Sequence, residues 1–153
     1  MLRGCYKVSH VHCFDVIVVD DLIIDLLLEL PEFPEPEKVI LPLRFERQVG
    51  GNGNFLIMAS RLGLSVKAIG CIGNDSNGRF LKESLLREGV NVEDVFIKSG
   101  LTKTCFVLIC NGSKAFIGGL TENTVFLQSN DIKEEMFNGK ALYFSSYSLI
   151  DKD

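Results

Sequence analysis

Val49-Gly50-Gly51-Asn52-Gly53-Asn54-Phe55-Leu56-Ile57-Met58-Ala59-Ser60-Arg61-Leu62-Gly63 changes character at its middle. A glycine-rich turn gives way to residues apolar almost all round a helical period, the pattern of a buried helix beginning near Asn54. Arg61 suits the last turn of that helix, and Gly63 is a ready C′ residue because glycine accepts positive φ. Val66 to Ile72 then reads as a strand, and the turn Gly73 to Gly78 leads into a second helix, Arg79 to Glu88, closed by Gly89. Strand, helix, strand, helix in this order predicts an α/β fold.

Upstream, Phe14 to Val19 is a short β-branched run, as expected of a strand buried on both faces of a parallel sheet. Leu26 to Leu30 continues extended until Pro31, Pro34 and Pro36 break it, and Val39 to Val49 alternates as a second extended segment. These two form a peripheral pair. Downstream, Thr104 to Ile109 and Lys114 to Ile117 flank Asn111-Gly112, a hairpin signal because both turn residues tolerate positive φ. Asn130 to Phe137 reads as a short helix capped by Ser129 or Asn130, and Ala141 to Ser145 as a last strand.

The 153 residues are 46% hydrophobic and 24% charged, which excludes a disordered chain and fits one domain or part of one. Sixteen basic against twenty acidic residues give a net charge of −4, with no basic stripe to neutralise phosphates, so nucleic acid is not an expected partner. The longest apolar run, Phe14 to Leu30, carries Asp20, Asp21, Asp25 and Glu29, which excludes it as a membrane span. Residues 1 to 13 form an N-terminal extension without the apolar stretch and cleavage site of a secretory signal. Five cysteines without a CxxC pair fit a reducing compartment, and an intracellular, cytoplasmic location is expected. His10 and His12 lack a third ligand, so no metal is assigned to them.

The Gly50 to Asn54 turn has two readings. Glycines allow close backbone approach and a helix start offers N–H donors, so a polar ligand can dock there; the plain alternative is a tight turn with an N-cap. A phosphate-binding use is weaker, because the turn lacks the last glycine of GxGxxG, no GxxxxGK[ST] loop occurs, and the preceding segment reads as peripheral. Asp25 is either a ligand-binding carboxylate or a solvated loop residue, and Asp75 is read as a turn or N-cap residue.

Several ordered motifs resemble one family. Gly50-Gly51-Asn52-Gly53-Asn54 with its apolar helix looks like the first signature of the PfkB (ribokinase-like) carbohydrate kinases. Ile69-Gly70-Cys71-Ile72-Gly73-Asn74-Asp75-Ser76-Asn77-Gly78 resembles that family's next strand and turn, and Leu86-Arg87-Glu88-Gly89-Val90 the helix end that follows. Tyr143 to Ser148 resembles the strand reaching the pocket after a lid hairpin. The similarity runs from about Phe14 to the C-terminus. It implies a ribokinase-like three-layer α/β core with a small β lid, truncated, spanning residues 14 to 153. It places substrate roles on Asp25, Gly50, Gly51 and Asn54, with Thr104 and Phe106 in the lid. A carboxylate accepts two hydroxyls of a diol, and an amide both donates and accepts, which suits a sugar or nucleoside substrate.

Two departures stand beside these matches. Asp20 occupies a place where the family usually has glycine, and only Gly53 separates Asn52 from Asn54. The family's second signature, a Gly-Ala-Gly-Asp run whose N–H groups form an anion hole and whose Asp is the catalytic base, does not occur in the sequence, and Asp151 and Asp153 lack the preceding glycines. The resemblance therefore implies the substrate-and-lid half of an ATP-dependent sugar or nucleoside kinase. ATP and Mg2+ are implied for a complete member, with no residue here assignable to them and no catalytic residue named. The alternative is a non-catalytic sugar-binding or regulatory module derived from such a kinase. Lid strands offer a surface for homo- or hetero-oligomers.

Overall fold

The computed structural model describes residues 14–20 and 22–145; the extension over residues 1–13, both histidines, Asp151 and Asp153 lie outside the described residues. The chain forms β1 (Phe14–Val19), β2 (Ile23–Glu29), β3 (Arg44–Val49), α1 (Asn52–Arg61), β4 (Val66–Gly73), α2 (Ser76–Arg87), β5 (Asn91–Lys98), β6 (Lys103–Cys110), β7 (Ser113–Gly119) and β8 (Gly139–Tyr143). Two four-stranded sheets result. The first is all parallel in the order β5-β4-β1-β8, and the second has the order β3-β2-β6-β7.

The parallel sheet is buried where its sequence is apolar without alternation. Every residue of β4 is buried, and β1 buries Val16, Ile17 and Val18. One face, Val16, Val18, Val66, Ala68 and Ile72, packs on Leu56 and Ala59 of α1 and on Leu81 and Leu85 of α2. The other face, Ile17 and Ile69, is covered by Met136 with Leu127 and Phe96. The helices end as their sequences foretell: Gly63 and Gly89 adopt φ +87° and +78°, and the Asp75 side chain caps α2 by accepting from Gly78 N at 2.8 Å.

The second sheet joins two antiparallel pairs, β2 with β3 and β6 with β7, along a parallel seam between β2 and β6. The Asn111-Gly112 turn has φ +48° and +79°, which matches the twist of the β6–β7 hairpin. Arg47 fastens this sheet to the core, with its guanidinium 4.1 Å above the Phe80 ring and its Nη1 donating to Asn77 Oδ1 at 3.2 Å.

Several boundaries differ from the sequence reading: β2 runs Ile23–Glu29 where Leu26 to Leu30 was expected, and β8 runs Gly139–Tyr143 where Ala141 to Ser145 was expected. The extended segment over Val39 to Val49 is a strand only from Arg44, because Glu29 at the end of β2 is its last partner and Pro42 has no N–H to pair. α1 starts at Asn52 and α2 at Ser76, one half-turn to one turn before the apolar pattern begins. The helix expected over Asn130 to Phe137 is two 3-10 turns, Ser129–Asp131 and Glu134–Phe137, with Ile132 and Lys133 extended between them. Gln128 and Asp131 close a capping box within the first turn and Asp131 pairs with Lys98, but the extended backbone of Ile132 and Lys133 separates that turn from the next. β5 was not anticipated; it buries only Val92 and Val95 among polar residues.

Candidate functional site

The order of the parallel sheet creates a crevice. From β1 the chain moves outward through β4 and β5 and returns to β8 on the other side of β1. Neighbouring crossovers thus leave in opposite directions between β1 and β8, and the carboxyl ends of such strands are where open α/β sheets bind ligands. A cavity of about 710 Å³ lies there. Asp20, just past β1, and Tyr143, Phe144 and Ser145 at the end of β8 form one side; Gly51 and Asn52 at the start of α1 form the floor. The second sheet roofs it with Ile23 and Asp25 of β2, Lys103 and Cys105 of β6 and Phe116 of β7.

Register explains the roof. Asp25 pairs with Cys105 and Ile23 with Lys103, and alternate residues of a strand share a face. Thr104 and Phe106, expected in the lid, therefore point the other way, into a separate cleft of about 220 Å³ beside Leu26, Asn77 and Thr102. There Asn77 Nδ2 donates to Thr104 Oγ1 at 3.4 Å. Asp75 acts as the N-cap residue it was read to be, and its carboxylate also accepts from Thr102 Oγ1 at 2.6 Å and Thr102 N at 3.0 Å. Burial works against its charge, but these hydrogen bonds win and hold its carboxyl below the usual 3.8.

Of the four residues given substrate roles, the structure brings three together. Asp25 lines the cavity, and Gly51 lines it with φ +50°. Gly50 lies directly behind Asp25: a Cβ there would sit 2.3 Å from Asp25 Oδ1 and 2.6 Å from Oδ2. Asn54 is exposed on α1 and does not line the cavity, whereas Asn52 does. Two residues on a helix differ by about 200° in direction, so the earlier helix start puts Asn52 at the cavity and turns Asn54 away.

Asp20, Lys103 and Cys105 line the cavity without having a site role in the sequence reading. Asp20 accepts at Oδ2 from Asn52 Nδ2 and from Ser145 Oγ, the latter at 3.1 Å, tying the ends of β1 and β8 to the start of α1. Lys103 and Cys105 are placed by register alone, which no local motif announces. Tyr143 stacks on Phe55 of α1, centroids 4.3 Å apart and planes within 8°. Burial pushes the Asp25 carboxyl up from 3.8, and burial followed by the Asp25 charge pushes the Cys105 thiol up.

This arrangement suits a polyhydroxyl ligand better than a triphosphate. Two carboxylates and a single basic residue, Lys103, line the cavity, and the first-turn N–H groups of Gly53 and Asn54 already donate to Gly50 and Gly51 carbonyls. Among the described residues no three His, Cys, Asp or Glu side chains gather to hold a metal ion, and no helix is long and apolar enough to cross a membrane.

Comparison with known proteins agrees with the fold. A ribokinase of Haemophilus influenzae is 28% identical over 107 residues, covering 69% of this chain and 32% of the relative. A nucleoside kinase of Methanothermobacter thermautotrophicus is 30% identical over 96 residues, covering 61% and 31%. The chain thus spans about a third of the length of each. The crystal structure of an uncharacterized sugar kinase from Pyrococcus horikoshii in complex with ATP superposes with TM-score 0.71 at 26% identity, over 88% of this chain and 44% of that one. A putative ribokinase II from E. coli shows the same fold at TM-score 0.73 and 20% identity, over 90% and 45%. Residues 14–153 match the profile of the pfkB family carbohydrate kinases, and with its sheet order, lid and signature turn in place the chain belongs to that family.

Proposed function

We propose that residues 14–153 are the substrate-and-lid half of an ATP-dependent sugar or nucleoside kinase, and that the cavity between β1, β8 and the lid sheet holds the sugar. The observation that carries this reading is the position of Asp25: a carboxylate on the lid, aimed into a crevice at the carboxyl ends of parallel strands, with only glycine behind it. In this reading Asp25 accepts hydrogen bonds from two neighbouring hydroxyls, and Gly50 and Gly51 let the ring approach the backbone. The amide contact falls to Asn52, in the turn where the signature also carries Asn54. Tyr143 and Phe144 supply an apolar wall. Residues 1–13 precede this unit as an extension, and a cytoplasmic setting fits it.

When bound, ATP with Mg2+ supplies the phosphoryl group to a substrate hydroxyl, a reaction governed by positioning and electrostatic stabilisation. The second reading is a non-catalytic sugar-binding or regulatory module derived from such a kinase. Calorimetry of the chain with D-ribose, adenosine and D-glucose tests the pocket. Binding by at least one, weakened by about 1.5–3 kcal/mol in Asp25→Ala, is expected for loss of charge-assisted hydrogen bonds. No binding, or equal binding by the variant, refutes the reading; a coupled assay with ATP and Mg2+ separates kinase from binding module.

A further inference from the structure

We infer that Asn77 and Arg47 form a latch on the outer face of the lid sheet, one that holds the lid back from the cavity and must yield when a sugar is enclosed. The inference rests on the reading of this cavity as the sugar site and concerns how that site closes. Register places the latch. Arg47 of β3 pairs with Leu26 and Ile24 of β2 pairs with Thr104, and these four share the face opposite Asp25 and Cys105. At the root of that face Ile24 and Val49 are buried in the core, and Thr102 is held by both carboxylate oxygens of Asp75, so any tilt of the sheet pivots there.

One layer further out, the same face meets the start of α2. The Arg47 guanidinium lies over Phe80 and its Nη1 donates to Asn77 Oδ1 at 3.2 Å, while Asn77 Nδ2 donates to Thr104 Oγ1 at 3.4 Å. Chemistry fixes the orientation of this amide. Arg47 can only donate, and the Thr104 hydroxyl directs its one proton to Thr102 O at 3.0 Å, so toward Asn77 it only accepts. A single side chain of the core thus ties β3 and β6, the two strands that flank β2. All these ties lie on the side of the sheet away from the cavity, so tilting the roof toward Asn52 draws Arg47 and Thr104 off α2 and stretches them. The cavity, about 710 Å³, is in the range of sites for drug-sized ligands and larger than one sugar ring. Asp25 on the roof and Asn52 on the floor reach the same sugar only after such a tilt. Part of the binding free energy then goes into releasing the latch, which sets how tightly the sugar is held and how soon it leaves.

A cross-link formed without any ligand tests the latch. Cys105 lines the roof, and Asn52→Cys supplies a thiol on the floor; a disulfide needs Cβ atoms about 3.5–4.5 Å apart, so it forms only when the roof comes down. Oxidised glutathione accepts the two electrons, and mass spectrometry of the joined peptides gives the rate. Adding Asn77→Ala speeds the cross-link at least about threefold, the scale of a lost hydrogen bond. Arg47→Met, which keeps an unbranched stem over Phe80 but no donor, does the same and serves should Asn77→Ala not fold. A latch that held the lid shut would give a slower rate and a merely structural contact an unchanged one; either result in a folded variant overturns the inference. Calorimetry with D-ribose, adenosine and D-glucose, on the chain carrying Asn77→Ala alone, reads the cost to the ligand. Whichever of the three binds the wild type binds this variant about three- to tenfold more tightly. Equal or weaker binding overturns the inference while the pocket stands. If none of the three binds the wild type, the pocket reading falls and the cross-link alone decides the latch.

Discussion

Gly50→Ala separates the worth of the site from the worth of the fold. The new Cβ would lie 2.3, 2.4 and 2.6 Å from Oδ1, Cγ and Oδ2 of Asp25, so the whole carboxylate must swing aside. The obstacle is the end of one side chain, and the φ of Gly50 lies outside the left-handed region that disfavours alanine. Displacing a side chain from its rotamer costs about 0.5–1.5 kcal/mol, and release of a partly buried carboxylate offsets some of it. Urea unfolding should therefore show a loss of about 1 kcal/mol or less with unchanged m. Sugar binding should fall by about 1.5–3 kcal/mol, roughly 10- to 150-fold, as if Asp25 itself were removed. In an Asp25→Ala background the same substitution has nothing to strike and should change affinity by less than about twofold. Gly51→Ala is the control for backbone strain: with φ +50° and Ile23 Cγ2 2.6 Å from the new Cβ, it should unfold the turn and cost more stability. Intact sugar affinity in Gly50→Ala, or additive losses in the double variant, would refute the placement of Asp25 against Gly50 as the ligand-binding arrangement.

Asp75→Ala removes the α2 cap and both bonds to Thr102, and should cost about 2–4 kcal/mol in urea unfolding. Because hydrogen bonding lowers the folded pKa of Asp75, its stabilisation is complete above the ordinary 3.8 and drains as pH falls through the lowered value; the gap between wild type and Asp75→Asn should narrow only in that acidic range. Asp25 behaves oppositely, since burial raises its folded pKa: protonation relieves a cost to the fold but removes the acceptor. Sugar affinity measured against pH should thus begin to fall at a higher pH than an ordinary aspartate would give, and Asp25→Asn should abolish that step.

The apolar runs of β1 and β4 and the capping chemistry of α1 and α2 are properties of adjacent residues, and they were legible. The signature turn was legible too, but its helix start was not, because Asn52 and Gly53 carry no apolar period; that shift of one half-turn exchanged Asn54 for Asn52 at the cavity. β5 escapes the sequence reading because this edge strand buries only Val92 and Val95, set between Asn91, Glu93 and Asp94, residues poor in strand propensity. Lys103 and Cys105 reach the site through pairing with β2, a partner far away in sequence. Asp20 stands out in the sequence as a departure, yet its donors Asn52, at the start of α1, and Ser145, just past β8, meet it only in the folded chain.

The parallel seam between β2 and β6 has a consequence for how the protein forms. The β6–β7 hairpin closes over a two-residue turn, a short loop with little closure entropy to overcome. Register between Ile23 and Lys103, by contrast, waits until both helices and the strands between them have been made and folded up. Such non-local pairing is slow, and it belongs to the late side of the folding barrier. The roof of the cavity should accordingly be assembled last and lost first: in native-state hydrogen exchange, seam amides of β2 and β6 should open at lower free energy than those between β1 and β4. The ligand, by bridging Asp25 to the strand ends beneath it, would then act as a clasp that slows that opening.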